Sequence, residues 1–349
     1  MTDDLLNPLR GAGLALADTP LPARDPAPVA ALLRRCPAHV PTPLRASPAL
    51  ARAAGVAEIR VKDERTRMGL GSFKALGAAY VIAHDAVETG AEDPTAALSG
   101  RVYVTASAGN HGLSVAAGAR LFGARAVIHL ADTVPEPFAA RLRAMGAEVV
   151  RSGADYAASM AAAADMARDR GDTLLSDSSW PGYTALPHRL MEGYLQMAAE
   201  AADACETPPT HVFLQAGVGG MAAAVAAHLR ARWGDAVKLV VVEPEAAPAL
   251  IEAIRAGRIV DTDGPDSAMG RLDCKTASMI ALAGLSREAD RFVTISEAEA
   301  QAAVDALAAD GIPTTPSGAA GVAAVLAGRP SLPADARVLC FVTEGPEDG

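Results

Sequence analysis

The first chemical feature of the chain is a lysine among small residues. Lys74 lies in the segment Gly71-Ser72-Phe73-Lys74-Ala75-Leu76-Gly77, and it is one of only four lysines among 349 residues. A lysine amine attacks an aldehyde when desolvation or a neighbouring cation lowers its pKa, and small neighbours leave room for a flat carbonyl compound. The segment therefore indicates a lysine that forms a Schiff base, although a lone lysine at a helix start is more often an ordinary surface residue.

A glycine-rich turn is the second chemical feature. Gly217-Val218-Gly219-Gly220 follows an apolar run and precedes a helical stretch that begins at Met221. Backbone N–H groups at such a turn, together with the positive end of the helix dipole, can bind a phosphate group. The turn lacks the Lys-Ser/Thr pair of a P-loop and the spacing of a dinucleotide fingerprint, which disfavours a nicotinamide cofactor. A tight turn with no ligand is the alternative interpretation.

The third feature is a polar segment, Thr105-Ala106-Ser107-Ala108-Gly109-Asn110-His111-Gly112, which follows a predicted strand and precedes a predicted helix. In α/β folds, residues at the carboxyl end of a parallel strand line the ligand site. Ser107 and Asn110 are therefore candidate binding residues. An N-capping turn with either residue as the cap is the alternative, and His111 alone is typical of a packed structural histidine.

The elements that must position these residues follow an α/β pattern. Short β-branched runs alternate with alanine-rich helical stretches, as in a parallel sheet with crossover helices. The predicted strands are 59–61, 102–104, 126–130, 148–150, 211–214, 239–242, 292–295 and 338–342, and the predicted helices include 113–122, 137–145, 156–168 and 221–232. The proline-rich segment from Pro20 to Pro43 predicts an extended arm.

The composition limits the classes of function. The net charge is −10 and Lys and Arg are not clustered, which disfavours a nucleic-acid partner. No apolar run reaches the length of about 18 residues that a membrane span needs, and no signal peptide is visible, so we expect a cytoplasmic protein without membrane contact. The four cysteines lack the close pairs of metal and redox sites, and we predict no metal.

The three features occur in the order of the motifs of fold-type II pyridoxal-phosphate enzymes, which the chain resembles from about residue 40 to its end. The resemblance implies that Lys74 forms the Schiff base with pyridoxal 5′-phosphate, that Phe73 packs beside the cofactor ring and that Asn110 hydrogen-bonds its 3′-oxygen. It implies that residues 217–221 hold the phosphate and that Thr343 contacts the pyridine nitrogen. A neutral hydroxyl there makes the ring a weaker electron sink, which favours elimination of a β-substituent.

The same resemblance implies the architecture. We expect two domains, each with a largely parallel twisted sheet flanked by helices: a large cofactor-binding domain of residues 1–97 and 182–349, and a small mobile domain of residues 98–181 inserted between them. The cofactor lies in the cleft, and closure of the small domain completes the site. Enzymes of this family are usually homodimers, and we expect a homodimer here.

Within the family, two segments resemble diaminopropionate ammonia-lyases: Asp177-Ser178-Ser179-Trp180-Pro181-Gly182-Tyr183 and Met191-Glu192-Gly193-Tyr194-Leu195-Gln196-Met197. The resemblance implies that Asp177 takes part in catalysis and contacts the amino side of the substrate, where a carboxylate attracts a β-ammonium group. It also implies that Ser107 and Asn110 hold the substrate carboxylate. A loop or helix-cap role is the alternative for Asp177.

Two departures from the family pattern matter. Ala108 stands where the ammonia-lyases have an aspartate and serine racemase has a serine, each resembling a base on the face opposite the lysine. Alanine cannot accept a proton, so we predict that only L-amino acids react efficiently. Thr315 stands where many dehydratases have a glutamate. Arg271 and Lys275, in an unusual segment, are candidates for binding a second substrate carboxylate, although a solvated loop is the more common interpretation.

These observations predict a pyridoxal-phosphate lyase that performs α,β-elimination on a small L-amino acid, with 2,3-diaminopropionate as the best candidate and a 2-oxo acid such as pyruvate plus ammonia as products. A dehydratase for L-serine, L-threonine or threo-3-hydroxyaspartate is the first alternative, since threonine dehydratases also carry alanine at position 108. A β-replacement synthase is the second alternative, because it shares the cofactor motifs. A catalytically idle ligand sensor is disfavoured by the intact motifs.

Overall fold

The computed structural model describes residues 3–346, which form two β-sheets flanked by helices. The strands are β1 (Asp4–Leu6), β2 (Leu44–Ala46), β3 (Glu58–Asp63), β4 (Val102–Ala106), β5 (Arg125–Leu130), β6 (Glu148–Arg151), β7 (Thr173–Leu174), β8 (His211–Gln215), β9 (Lys238–Pro244), β10 (Arg291–Ile295) and β11 (Arg337–Val342).

The two sheets are mainly parallel. Seven strands form one sheet in the order β1-β10-β9-β8-β11-β3-β2, in which only the edge strands β1 and β2 are antiparallel to their neighbours. Four strands form the other sheet in the order β6-β5-β4-β7, and all its pairs are parallel. Buried parallel strands need crossover helices on both faces, and this is the α/β architecture that the sequence pattern predicts.

Twelve α-helices supply the crossovers and the outer layers in the described part of the chain. They are α1 (Ala27–Leu33), α2 (Pro48–Ala54), α3 (Ala78–Glu88), α4 (Asn110–Leu121), α5 (Glu136–Ala144), α6 (Tyr156–Arg170), α7 (Ala185–Asp203), α8 (Gly220–Trp233), α9 (Ala249–Ala256), α10 (Met279–Glu288), α11 (Glu297–Ala309) and α12 (Pro316–Leu326). Short 3-10 turns include Glu64–Gly69 and Phe73–Leu76, which follow β3.

Every strand predicted from the sequence is present, and three further strands, β1, β2 and β7, are only two or three residues long. Runs this short carry no readable hydrophobic alternation. The prediction of a wholly extended arm over residues 20–43 is wrong in one respect, because α1 lies within it. A proline occupies the first turn of α1, where it needs no N–H partner, and alanine and leucine then continue the helix.

The alanine-rich helix α8 explains how the large sheet is covered. Its residues from Gly220 to Arg230 are all buried, and it packs between α7 and α10. A helix without an exposed face shows no amphipathic pattern, and small side chains let its neighbours approach closely. The amino end of α8 is thereby fixed beside the carboxyl ends of β8 and β11.

The strands of the smaller sheet all lie between residues 102 and 174, and α6 packs on a separate small core that contains Val104, Val127 and Ala163. We therefore retain, as a proposal, the division into a large domain of residues 1–97 and 182–349 and a small domain of residues 98–181. Among the described residues, no helix has the length and apolar character required to cross a lipid bilayer.

Candidate active site

Lys74 is held by the end of the central strand β11. It lies in the 3-10 turn Phe73–Leu76, where the Ser72 hydroxyl accepts a hydrogen bond from the Lys74 backbone N–H at 3.2 Å. The Phe73 N–H donates to the Thr343 carbonyl at 3.0 Å. The backbone around the lysine is thus fixed on both sides, and its side chain extends into a cleft at the carboxyl ends of the strands.

The Lys74 amine forms an ion pair with Asp177, with Nζ 2.5 Å from Oδ2 and side chains 23% and 19% exposed. Burial lowers the pKa of Lys74, but the charge of Asp177, its hydrogen bond to the amine and the neighbouring Tyr194 together outweigh burial, so the net pKa lies above its ordinary value. Burial likewise raises the pKa of Asp177, but its hydrogen bonds and the charges beside it, chiefly that of Lys74, outweigh burial and hold the net pKa well below its usual range. The lowered lysine pKa expected from the motif is not found, because the neighbour is an anion.

Two aromatic rings form the wall beside the lysine. The Phe73 and Tyr194 ring centroids lie 4.9 Å apart with the rings tilted by 59°, and Lys74 Nζ is 5.3 Å from the Phe73 centroid. Tyr194 is buried, and a side chain at Gly77 would collide with its ring. Gly77 is therefore required for close approach of α7 to the lysine turn.

The glycine loop after β8 has the form of an anion site. Gly219 adopts a left-handed φ of +96°, and α8 begins at Gly220 without any side-chain cap. A Cβ atom at Gly217 would lie 2.9 Å from the Cys274 sulfur, so this approach also requires glycine. Backbone N–H groups without a side-chain acceptor, at the positive end of a buried helix, fit a phosphate group.

The loop after β4 holds two of the predicted site residues, Ser107 and Asn110, and the histidine that follows them. The Ser107 hydroxyl oxygen accepts from the Gly109 and Gly112 N–H groups at 3.2 and 3.1 Å, so it binds two backbone N–H groups at the start of α4 and retains its proton as a donor. Asn110 directs its amide nitrogen to Glu344. His111 is buried with Nε2 2.8 Å from the Leu175 carbonyl, and burial lowers its pKa, as expected of a structural neutral histidine.

Thr343 directly follows β11, at the position where a neutral hydroxyl group was predicted. Gln215 lies beside it and donates to the Phe341 carbonyl at 2.9 Å, to the Gly318 carbonyl at 3.2 Å and to Thr343 Oγ1 at 3.5 Å. Both side chains are buried. The groups in these contacts near the Thr343 hydroxyl are thus an amide and two carbonyls, and none of them is a carboxylate.

One cleft of about 380 Å³ brings together the predicted cofactor and catalytic residues. The predicted residues that line it are Phe73, Lys74, Ser107, Asn110, Asp177, Gly217, Val218, Gly219, Gly220, Met221 and Thr343. Thus Asp177 is a cleft residue and not a helix cap. A lysine, an uncapped helix end and a hydroxyl on different walls of one cleft fit pyridoxal 5′-phosphate, which needs an amine, anion donors and a group at its ring nitrogen.

The sequence reasoning missed several lining residues: Tyr156, Gln215, Leu272, Cys274, Ser317 and Glu344. Gln215 carried a signal, since a polar residue at the end of a buried strand is unusual. Of the two candidates for a second carboxylate, Arg271 lines the cleft and donates to the Ala108 carbonyl at 2.9 Å. Lys275 instead bonds the Ala246 carbonyl and Asp273, at 2.8 and 2.6 Å, so its proposed contact with substrate is not supported.

Comparisons with known proteins agree with this site. Residues 36–344 match the family model described as pyridoxal-phosphate dependent enzyme. Diaminopropionate ammonia-lyase of Escherichia coli K12 is 34% identical over 237 residues, which are 64% of this chain and 60% of that protein. The human protein named serine dehydratase-like is 30% identical over 284 residues, covering 81% of this chain and 80% of that protein.

A solved structure of a related enzyme matches the fold of the whole chain. Escherichia coli diaminopropionate ammonia-lyase in complex with D-serine superimposes with a TM-score of 0.89 and 29% identity, covering 100% of this chain and 95% of that one. In sequence, by contrast, the match spans only 60% of the length of the bacterial ammonia-lyase. The family model covers nearly the entire chain and the cleft has the donors that the cofactor needs, so this chain belongs to the pyridoxal-phosphate dependent enzyme family.

Proposed function

We propose that this chain is an ammonia-lyase that eliminates the α-hydrogen and the β-amino group of L-2,3-diaminopropionate as ammonia, and that the resulting 2-aminoacrylate is hydrolysed by water to pyruvate and a second ammonia. The observation that carries the proposal is the contact between Lys74 Nζ and Asp177 Oδ2, at 2.5 Å in the cleft. It places a carboxylate beside Lys74, the one lysine among the described residues that line the cleft. The names of the bacterial relatives in sequence and structure support the same reaction.

Pyridoxal phosphate, when bound, supplies a carbonyl group for the substrate amine and an electron sink for the bond that breaks at Cα. Lys74 is the residue to hold this carbonyl and, once free, to accept the α-proton at Nζ. The uncapped amino end of α8 would bind the phosphate, and Phe73 would pack beside the ring. Thr343 would offer a neutral hydroxyl to the ring nitrogen, which would limit charge accumulation and favour loss of a β-substituent.

Asp177 supplies the preference for an ammonium leaving group. In the structure its carboxylate binds the Lys74 ammonium, and the β-ammonium of diaminopropionate is the same chemical group. When Lys74 acts as a neutral base, Asp177 is available to bind the β-ammonium. A hydroxyl at the β-carbon gains less from this carboxylate because it carries no charge.

The loop from Ser107 to Asn110 binds the substrate carboxylate in our proposal. The Ser107 oxygen already accepts two backbone hydrogen bonds, so its proton is directed outward as a donor. Ala108 lines the same loop and offers no group that accepts a proton. Lys74 is therefore the proton acceptor on its face of the substrate, and we expect L-amino acids to react and D-amino acids to fail.

A dehydratase acting on L-serine or L-threonine is the second candidate. Ala108 and the neutral group at Thr343 favour it, and a serine dehydratase-like protein is among the relatives that match most of the chain. The two candidates differ in the leaving group, ammonia against water, and share every cofactor contact.

The test is a 2-oxo acid and ammonia assay of the purified protein with pyridoxal phosphate. The substrates are L- and D-2,3-diaminopropionate, L-serine, L-threonine and threo-3-hydroxyaspartate. Fastest turnover of the L-diaminopropionate supports the ammonia-lyase, whereas a preference for a hydroxyl substrate selects the dehydratase. Efficient reaction of the D-form contradicts the assignment of a single base. A β-replacement synthase would be favoured if no substrate gave a 2-oxo acid and a different product formed only when a thiol was added.

We also infer that the enzyme works as a homodimer, by analogy with the family that the sequence resembles. Light scattering of the eluting peak in gel filtration tests this inference directly. A mass twice that of the chain supports it, and a mass equal to that of the chain at assay concentration contradicts it.

A further inference from the structure

Glu344 joins three parts of the cleft through one carboxylate. It follows Thr343 at the end of β11, and it is 5% exposed. One carboxylate oxygen accepts from the Asn110 amide nitrogen, and the other accepts from the Thr315 hydroxyl at 2.5 Å. Arg271 Nε lies 3.6 Å from the oxygen that Asn110 contacts. Two hydrogen bonds and a nearby cation stabilise the ionised form of a buried acid.

The contact with Thr315 explains an unusual position in the sequence. Thr315 caps α12, where its oxygen accepts from the Gly318 N–H at 3.0 Å. Because that oxygen is the acceptor for the helix, its own proton is available for Glu344. Many dehydratases have a glutamate at the position of Thr315. Here the carboxylate beside this position belongs to Glu344, which follows β11.

We propose that Glu344 is a positioning residue that orients the Asn110 amide toward the cofactor, an inference that rests on the proposed function. An ionised carboxylate accepts hydrogen bonds and donates none, so the group of Asn110 that faces it must be the NH₂. One N–H is used by Glu344, and the second N–H is directed by the planar amide geometry. That second N–H is the donor for an oxygen of the bound ligand.

The same residue also couples the two walls of the cleft. The backbone of Glu344 pairs with Ser72, two residues before Lys74, and its carbonyl accepts from the Thr314 hydroxyl at 2.6 Å. Its side chain contacts Asn110 at the start of α4, which belongs to the smaller sheet's layer. Arg271 makes a second contact with this loop, because it donates a hydrogen bond to the Ala108 carbonyl. Glu344 thus sets the Asn110 amide relative to the lysine segment.

The experiment titrates the apoprotein with pyridoxal phosphate and follows both the dissociation constant and the position of the cofactor's visible absorption band. We expect Glu344→Gln to weaken cofactor binding about tenfold, because one charge-assisted hydrogen bond is replaced and the amide is released. We also expect the band to move, since its position depends on the donor at the cofactor's ring oxygen. Glu299→Gln is the matched control, because Glu299 also accepts from a hydroxyl and lies near an arginine, but caps α11 outside the cleft.

The double variant separates positioning from folding. If Glu344 acts through Asn110, Glu344→Gln has no further effect on the dissociation constant in an Asn110→Ala background. Additive effects, or a single Glu344→Gln variant with wild-type affinity and absorption, would overturn the proposal. These readouts need no substrate, so a negative diaminopropionate assay would count against the proposed function and not against this role.

A second variant serves if Glu344→Gln does not fold. Asn110→Asp places a carboxylate opposite Glu344, and the two like charges repel. We expect weaker cofactor binding in Asn110→Asp than in Asn110→Ala, which merely lacks the amide. Equal dissociation constants for these two variants would show that no charge faces position 110 and would overturn the proposal.

Discussion

Lys62 and Lys74 each form a close ion pair with a carboxylate inside the protein, but their surroundings differ. Lys62 Nζ lies 2.7 Å from Glu200 Oε2 and donates to the Thr42 carbonyl at 2.7 Å, and its side chain is 1% exposed. Lys74 Nζ lies 2.5 Å from Asp177 Oδ2, and its side chain is 23% exposed in the cleft. One amine is enclosed by protein, and the other is accessible to a ligand.

The charges around the two pairs also differ. Arg67, fully buried, binds both Glu64 and Glu200, so two carboxylates and two cations share one network. Burial lowers the pKa of Lys62 despite the nearby Glu200, whereas the pKa of Lys74 is raised. The Lys62 network has several partners on each side, while Asp177 holds Lys74 with few competitors. An ion pair with a single principal contact can exchange its ammonium, and this distinguishes a reactive lysine from a structural one.

The largest expected effect comes from the cleft lysine. We expect Lys74→Ala to lower turnover by at least about 10⁴-fold, because both the Schiff-base amine and the proton acceptor are lost. The variant should still fold, since the cleft admits water to Asp177. Lys62→Met is the matched control and should retain turnover per folded molecule. Comparable activity losses in both variants would remove the distinction between the two lysines.

For the stability of the fold, we expect the larger effect from the substitution of Lys62 and the smaller effect from that of Lys74. Lys62→Met should lower the free energy of unfolding by about 3 kcal/mol, because Glu200 loses one of its two buried cations while Arg67 remains. Urea unfolding of the apoproteins measures this difference, with Lys74→Ala as the comparison. An unfolding free energy for Lys62→Met within error of the wild type would contradict a structural role for the network.

The difference between the two lysines was only partly readable from the sequence. The glycine and aromatic neighbours of Lys74 predict its chemistry, and the strand ends place Ser107, Asn110 and Thr343 near it. These predictions depend on local motifs and on the rule that parallel strands end at one edge. The eight predicted strands follow from hydrophobic runs in the same way.

Contacts between distant segments were not predictable. Glu200 lies on α7 and Lys62 on β3, and no local pattern indicates that the two meet. Glu344 was visible only as the neighbour of Thr343, although its side chain reaches Asn110 on the opposite wall. For Arg271 a solvated loop was the more common interpretation, and only the fold places its side chain over Gly109. Such pairs depend on the packing of whole elements, which a single sequence does not specify.

A smaller effect is expected from the carboxylate that faces Lys74. Asp177→Asn keeps the shape of the side chain and removes its charge, so the β-ammonium of the substrate loses its partner. We expect kcat/KM for L-2,3-diaminopropionate to fall about 100-fold, and for L-serine to fall by less than about tenfold. The ratio of the two constants is the readout. An equal loss for both substrates would assign Asp177 to Lys74 alone and not to the leaving group.

The smallest expected effect is the response of the enclosed pair to acid. Burial alone would raise the pKa of Glu200. Arg67 and Lys62 together have the larger, opposite effect, and the net pKa falls from an ordinary value of 4.5 to about 2. The ionised form therefore stabilises the fold fully above about pH 4.5, and this contribution is lost as the pH falls toward 2, because the unfolded chain takes up the proton first.

Unfolding experiments between pH 4.5 and 2 measure this term. We expect wild-type stability to decrease more steeply than that of Glu200→Gln, by up to about 1.4 kcal/mol per pH unit, because the variant has no proton to take up at this position. Lys74→Ala should change the acid slope less, since Asp177 is partly exposed and solvent screens its pair with Lys74. Equal slopes for the wild type and Glu200→Gln would mean that Glu200 is not held as an anion by its two cations. The protein would then fix the charges of the Lys62–Glu200 and Lys74–Asp177 pairs equally firmly. Only the cleft around Lys74 would distinguish the two pairs.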